Sequence, residues 1–148
     1  MLPSLTQEGL LPAGIHDADW SEIWAVFGTT PHRKRLLHGF LRAVEALRVA
    51  GCRKVYLDGS FVTAKDTPGD FDACWDPDGV EFPRLDPILL TFDHGRLAQK
   101  VKYGGELFPA SSVADNSSMS TFIEFFQIHK ETGAPKGIIA IDIERHKP

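Results

Sequence analysis

The stretch from Val55 to Trp75 leaves this chain few ways to fold. Val55-Tyr56-Leu57 is β-branched, aromatic and apolar, and it ends at Asp58-Gly59-Ser60, which predicts a strand running into a turn. Pro68-Gly69 punctuates the return, and Asp70-Phe71-Asp72-Ala73-Cys74-Trp75 reads as the next strand. Alternation predicts Asp70 and Asp72 on one face, with Phe71 and Ala73 on the other. Their Cα atoms would then stand roughly 7 Å apart, two strand rises. Two facing carboxylates repel by on the order of 4 kcal/mol at 4 Å in a protein-like dielectric. A bound cation removes that cost, so the pair reads as a site for Mg²⁺ or Mn²⁺, completed by water and phosphate oxygens. Glycine lets a backbone approach a ligand closely, and successive N–H groups at Gly59-Ser60 form an anion-binding nest. Together the two halves predict a site for a metal-bound nucleoside triphosphate.

The pattern G-S-x(9)-D-x-D resembles the signature of the polymerase-β-like nucleotidyltransferase superfamily, especially its small bacterial "minimal" members. The strings LDGSFVTAK, DFDACWDP, YGGELFPA and TGAPKGIIAID resemble a bacterial group of such nucleotidyltransferase-like proteins. Where the minimal members usually carry Arg-Gly after the Gly-Ser, this chain reads Phe61-Val62-Thr63-Ala64-Lys65. The resemblance implies that Gly59 and Ser60 grip the triphosphate, that Asp70 and Asp72 bind metal, and that a third carboxylate lies on a later strand. It also implies transfer of a nucleoside monophosphate from a magnesium-bound triphosphate, ATP or another, to a hydroxyl on a protein or RNA. Small superfamily members are often encoded beside a toxin. A cognate toxin is therefore an expected protein partner, and a nucleotidyltransferase-like antitoxin or regulator acting by contact is the alternative function.

The third carboxylate has three candidates. Glu106 opens the strand after the predicted crossover and is the first choice, as metal ligand and as base for the acceptor hydroxyl. Asp142, on the last predicted strand, is second, and it also reads as a solvent-face residue. Asp58 is third, since an Asp before a turn fixes that turn through backbone N–H groups. Lys65, between the two halves of the motif, is placed to neutralise phosphate, and equally reads as an isolated surface lysine; Lys136, before the last strand, is a similar candidate. His32-Arg33-Lys34-Arg35 puts cations in the first turn of a helix, against its dipole by some 0.3–1 kcal/mol each. That cluster predicts either an anion, acceptor or acidic partner facing it, or a solvated basic face.

The remaining residues predict an ordinary scaffold. At 148 residues and 43% hydrophobic the chain suits one compact domain with a core. Residues 1–28 read as an N-terminal arm and short helix, capped at Asp17 and ended by Gly28, and 29–148 as the nucleotidyltransferase-like domain. Thr30-Pro31 is a cap followed by a first-turn proline, and Leu36, Leu37, Phe40, Leu41, Val44 and Leu47 follow at helical spacing up to Gly51. Helical pieces are expected over 85–102, a strand at 106–108, a loop over 110–118, a helix from Met119 to Phe126 and a half-buried strand over 137–143. The order predicts an α/β (α+β) mixed sheet with helices packed mainly on one face. Cys52 and Cys74 read as buried free thiols. A net charge of −4 argues against a broad nucleic-acid surface. No apolar run approaches the roughly 20 residues of a membrane span, so a cytoplasmic protein is expected.

Overall fold

Thr30-Pro31 starts the longest element as its chemistry requires. The Thr30 hydroxyl accepts the Arg33 N–H at 3.1 Å, and proline takes a position where its missing N–H costs nothing. In the computed structural model, which describes residues 1–148, the elements are β1 (Gly14–Asp17), α1 (Trp20–Phe27), α2 (Pro31–Val49), β2 (Lys54–Asp58), β3 (Phe71–Trp75), α3 (Asp93–Tyr103), β4 (Gly105–Pro109), β5 (Val113–Asp115), β6 (Ser120–Thr121), α4 (Phe122–Phe125) and β7 (Gly137–Asp142). Short 3-10 turns occupy Ser60–Val62, Phe82–Arg84 and Pro87–Leu90.

The main sheet runs β1-β7-β2-β3-β4, while β5 and β6 form a separate hairpin. β1 is parallel to β7 and β3 to β4, whereas β2 is antiparallel to both its neighbours. This is a single-domain α/β fold on a mixed sheet. Leu37, Phe40, Val44 and Leu47 of α2 are buried in one core with Val55, Leu57, Ala73, Leu107, Ile139 and Ile141 of the sheet. Burial of each large side chain contributes roughly 1.5–3 kcal/mol. A Cβ on Gly39 would lie 1.9 Å from the Tyr103 carbonyl oxygen, so α2 meets the end of α3 backbone to backbone. That close approach seats the start of β4 beside β3. No helix is long and apolar enough to cross a membrane.

Several expectations are corrected here. Part of the stretch expected as an arm is a sheet strand, since Gly14–Asp17 pairs with Gly137–Ala140. The helix after it is capped by Asp19, not Asp17: Asp19 and Glu22 form a reciprocal capping box, which Asp17 is too far upstream to make. The helix expected from Met119 shrinks to Phe122–Phe125, because the preceding residues pair as β6 with β5. β7 is buried on both faces rather than one. Its second face is covered by a smaller cluster of Cys74, Ala110, Phe126 and Ile138, beside Phe108 and Phe122, whose rings stack at 4.1 Å and 5°. Cys52 and Cys74 are free and buried, as expected, and burial first of all pushes the Cys52 thiol up to about 11.

Candidate active site

Strand register builds the site. Asp58 lies opposite Asp72 across β2 and β3, and Asp72 lies opposite Glu106 across β3 and β4. Because opposed residues share a face, the three carboxylates form a row across neighbouring strands, each step about 4.8 Å. Tyr56, Cys74 and Phe108, two residues along each strand, make an apolar row behind them on the same face. Asp70 stands just before β3 instead of inside it, and its charge still acts on Asp72.

Gly59 closes the row from the side. Its φ of +81° belongs to glycine, and a Cβ there would fall 2.4 Å from Asp72 Oδ2. The backbone of the Gly-Ser turn therefore rests directly against the carboxylate. Gly59→Ala should cost about 1–3 kcal/mol, from the left-handed φ and this clash together. A urea titration beside the parent chain checks it.

The turn is held by α2. Arg33 is buried, 4% exposed, and its guanidinium donates to the carbonyls of Phe61 (2.6 Å), Thr63 (2.8 Å), Lys65 and Phe27 while lying 5.3 Å from the Phe61 ring. His32 donates to the Pro68 carbonyl. The basic helix start was expected to face an anion or solvent. For Arg33 neither holds, because the loop folds over it and its two terminal nitrogens are spent on four carbonyls. Lys34 and Arg35 remain exposed.

Cations surround the carboxylates. Lys136 forms an ion pair with Asp58, with side-chain exposures of 12% and 6%. Arg96 donates to Glu106 Oε1 from Nε (3.1 Å) and Nη2 (2.8 Å), and Lys100 approaches the same oxygen at 3.3 Å. Lys65 is exposed at the rim, where its charge acts on Asp70 together with those of Lys100 and Lys130. Lys136→Met would strand a buried charge and should cost about 3 kcal/mol at neutral pH, the low end for a broken buried pair. Burial already raises the Asp58 carboxyl, so the loss should shrink as pH falls and Asp58 takes a proton. Denaturant midpoints at several pH values read this out.

The four acids divide into two kinds. Burial, then the hydrogen bond with Glu106, then the charges of Asp70, Glu106 and Asp58 push Asp72 up to about 7. Asp70 is raised by burial and by the charge of Glu106. Burial also acts to raise Glu106, but hydrogen bonds from Arg96, Asp72 and Lys100 outweigh it and hold Glu106 below its ordinary value. Of this pair, Asp72 is therefore the acid that holds a proton more readily and Glu106 the one that ionises.

For a hard divalent cation the donor chemistry fits: Asp70 and Asp72 offer carboxylate oxygens, and burial first of all disfavours the ionised form of Asp72. As the side chains stand, no three acids, histidines or cysteines are gathered as a ligand set, and Glu106 carries Arg96 and Lys100. Asp142 lies at the other end of the sheet, opposite Lys54, where it accepts the N–H groups of Glu144 and Arg145. It is no part of this row. Arg96 and Lys100 are the members that sequence reasoning did not find, and Arg33 was named there only as one cation of the basic helix start. Nothing local distinguishes Arg96 or Lys100 from surface residues.

Residues 3–142 match a family of unknown function, DUF6932. No curated protein and no solved structure matches the chain.

Proposed function

We propose that this chain, which belongs to the DUF6932 family, is a metal-dependent nucleotidyltransferase that moves a nucleoside monophosphate from a triphosphate to a hydroxyl acceptor. One observation carries the reading: Asp72 is pressed against the Gly59 backbone, flanked in register by Asp58 and Glu106, and left without a cation of its own. A carboxylate held protonated among other acids is a position prepared for a positive charge.

Asp70 and Asp72 would hold the divalent ion, and Gly59 and Ser60 the phosphate oxygens, with Lys65 adding charge at the rim. When bound, the ion supplies neutralising charge for the triphosphate and fixes its orientation. The acceptor hydroxyl oxygen bonds to the α-phosphorus while the bond from that phosphorus to its bridging oxygen breaks. The electron pair leaves with pyrophosphate, and the hydroxyl proton passes to Glu106, the ionised member of the row. ATP is the first triphosphate to try, and a protein or RNA end the acceptor class.

A second reading has its own support. Asp58 and Glu106 already carry protein cations, which suits a catalytically weak or inactive relative that acts by binding a protein, as an antitoxin or regulator would. The test is to incubate the chain with each α-labelled triphosphate, Mg²⁺ and cell extract, and to look for a labelled acceptor. Label that appears with the parent chain and not with Asp72→Asn supports the enzyme. No label, together with co-purification of a partner independent of nucleotide, supports the binding protein.

A further inference from the structure

Arg96 reaches Glu106 by way of an unfavourable backbone. His94 (φ 53°), Gly95 (φ 64°) and Arg96 (φ 62°) are three consecutive left-handed residues that interrupt the entry into α3. Two of them carry a Cβ, which that conformation disfavours. Such strain persists where neighbouring contacts over-determine it, and it concentrates where a ligand is handled. The contacts here are few: the Arg96 N–H donates to the Phe92 carbonyl at 3.3 Å, and the guanidinium meets Glu106 and lies 5.8 Å from the Phe108 ring.

The fit to Glu106 is also incomplete. A guanidinium fork matches two oxygens side by side. Here Nε and Nη2 of Arg96 both converge on Oε1, which also receives Lys100. Arg96 and Lys100 have side-chain exposures of 36% and 42% against 16% for Glu106, so their unused donors face solvent beside the carboxylate row. Two cations with spare donors, next to a Gly-Ser turn and a pair of free acids, match a polyphosphate better than one carboxylate oxygen.

We propose that Arg96 and Lys100 form the subsite for the β- and γ-phosphates of the triphosphate, and rest on Glu106 until those phosphates arrive. The proposal rests on the nucleotidyltransferase reading and deepens it. Departure of the two cations frees Glu106 for the acceptor proton, so arrival of the phosphates also completes the site. Without nucleotide, Arg96 competes with a divalent ion for Glu106; with nucleotide, it draws the ion's partner in.

The substitution Arg96→Ala should therefore act with opposite signs. Mn²⁺ alone, followed by the paramagnetic signal of the free ion, should bind the variant more tightly than the parent. Tripolyphosphate at saturating Mn²⁺, followed by calorimetry, should bind it roughly tenfold more weakly. Arg96→Lys should keep part of the tripolyphosphate affinity, which a purely structural role would not predict. A parent chain that binds Mn²⁺ but no tripolyphosphate, or an Arg96→Ala chain with unaltered tripolyphosphate affinity, overturns the subsite and leaves the metal reading standing. A parent chain that binds no Mn²⁺ overturns both.

Discussion

Asp72→Asn should lower nucleotidyl transfer by 10²–10³-fold or more, roughly the loss seen when one preorganised electrostatic group is removed from an active site. The same substitution should make the empty protein more stable above neutral pH. Asp72 is raised to about 7, so its ionised form opposes folding. The sign follows from linkage: stability is fully present below the unfolded carboxyl value and is lost as pH climbs through the folded one. A rise from 3.8 to about 7 corresponds to on the order of 4 kcal/mol, an upper figure because Asp72 and Glu106 titrate as a pair. An asparagine amide can donate to Glu106 at every pH, as protonated Asp72 does only below neutrality. Urea midpoints at pH 5 and pH 8 decide the matter: the parent should fall between them and the variant should not. A parent chain equally stable at both would show that Asp72 ionises freely, and the charge argument for a cation site would go with it.

Arg33→Ala should be the most destabilising single change at a polar residue, about 4–5 kcal/mol. Hydrogen bonds to a charged group are worth about 1.5–3 kcal/mol each, and the carbonyls left behind keep no replacement partner. The alkyl stem also leaves a gap beside Phe61. Because the carbonyls of Phe61, Thr63 and Lys65 belong to the loop between the Gly-Ser turn and the aspartates, the loop should loosen before the sheet does. Tryptic cleavage after Lys65 should then outpace global unfolding in the variant. Equal cleavage rates in parent and variant would mean that the loop keeps its own shape. Arg33→Lys should recover little, since one ammonium cannot reach carbonyls spread over the arc that the guanidinium spans.

Features set by neighbouring residues were legible before the fold was known. Thr30 and Pro31 begin α2, Gly28 ends α1, and the apolar spacing of α2 points its buried face at the sheet, because caps, φ restrictions and the helical period act over a few residues. Gly59-Ser60 and Asp70-Phe71-Asp72 likewise stood out as a turn and a carboxylate pair, and the two are in contact. That local logic failed at two places, where a neighbouring residue or strand competed with the first reading. Asp17 reads as the cap of α1, but the capping box of Asp19 with Glu22, three residues on, takes that place. Ser120 and Thr121 fitted a helix until pairing with β5 took them.

By itself, then, the order of residues determined helices α1 to α3, strands β2, β3, β4 and β7, the glycine at the turn and the two acids beside it, since each depends on steric and hydrogen-bonding preferences within one or two turns of chain. Only tertiary structure decided which third and fourth acids joined them. Because β7 enters antiparallel to β2, it delivers Lys136 to Asp58 and carries Asp142 to the opposite end, while parallel pairing of β4 with β3 sets Glu106 against Asp72. It also decided the charge of every acid in the row, because burial and counter-ions are properties of the assembled neighbourhood and are written in no single segment.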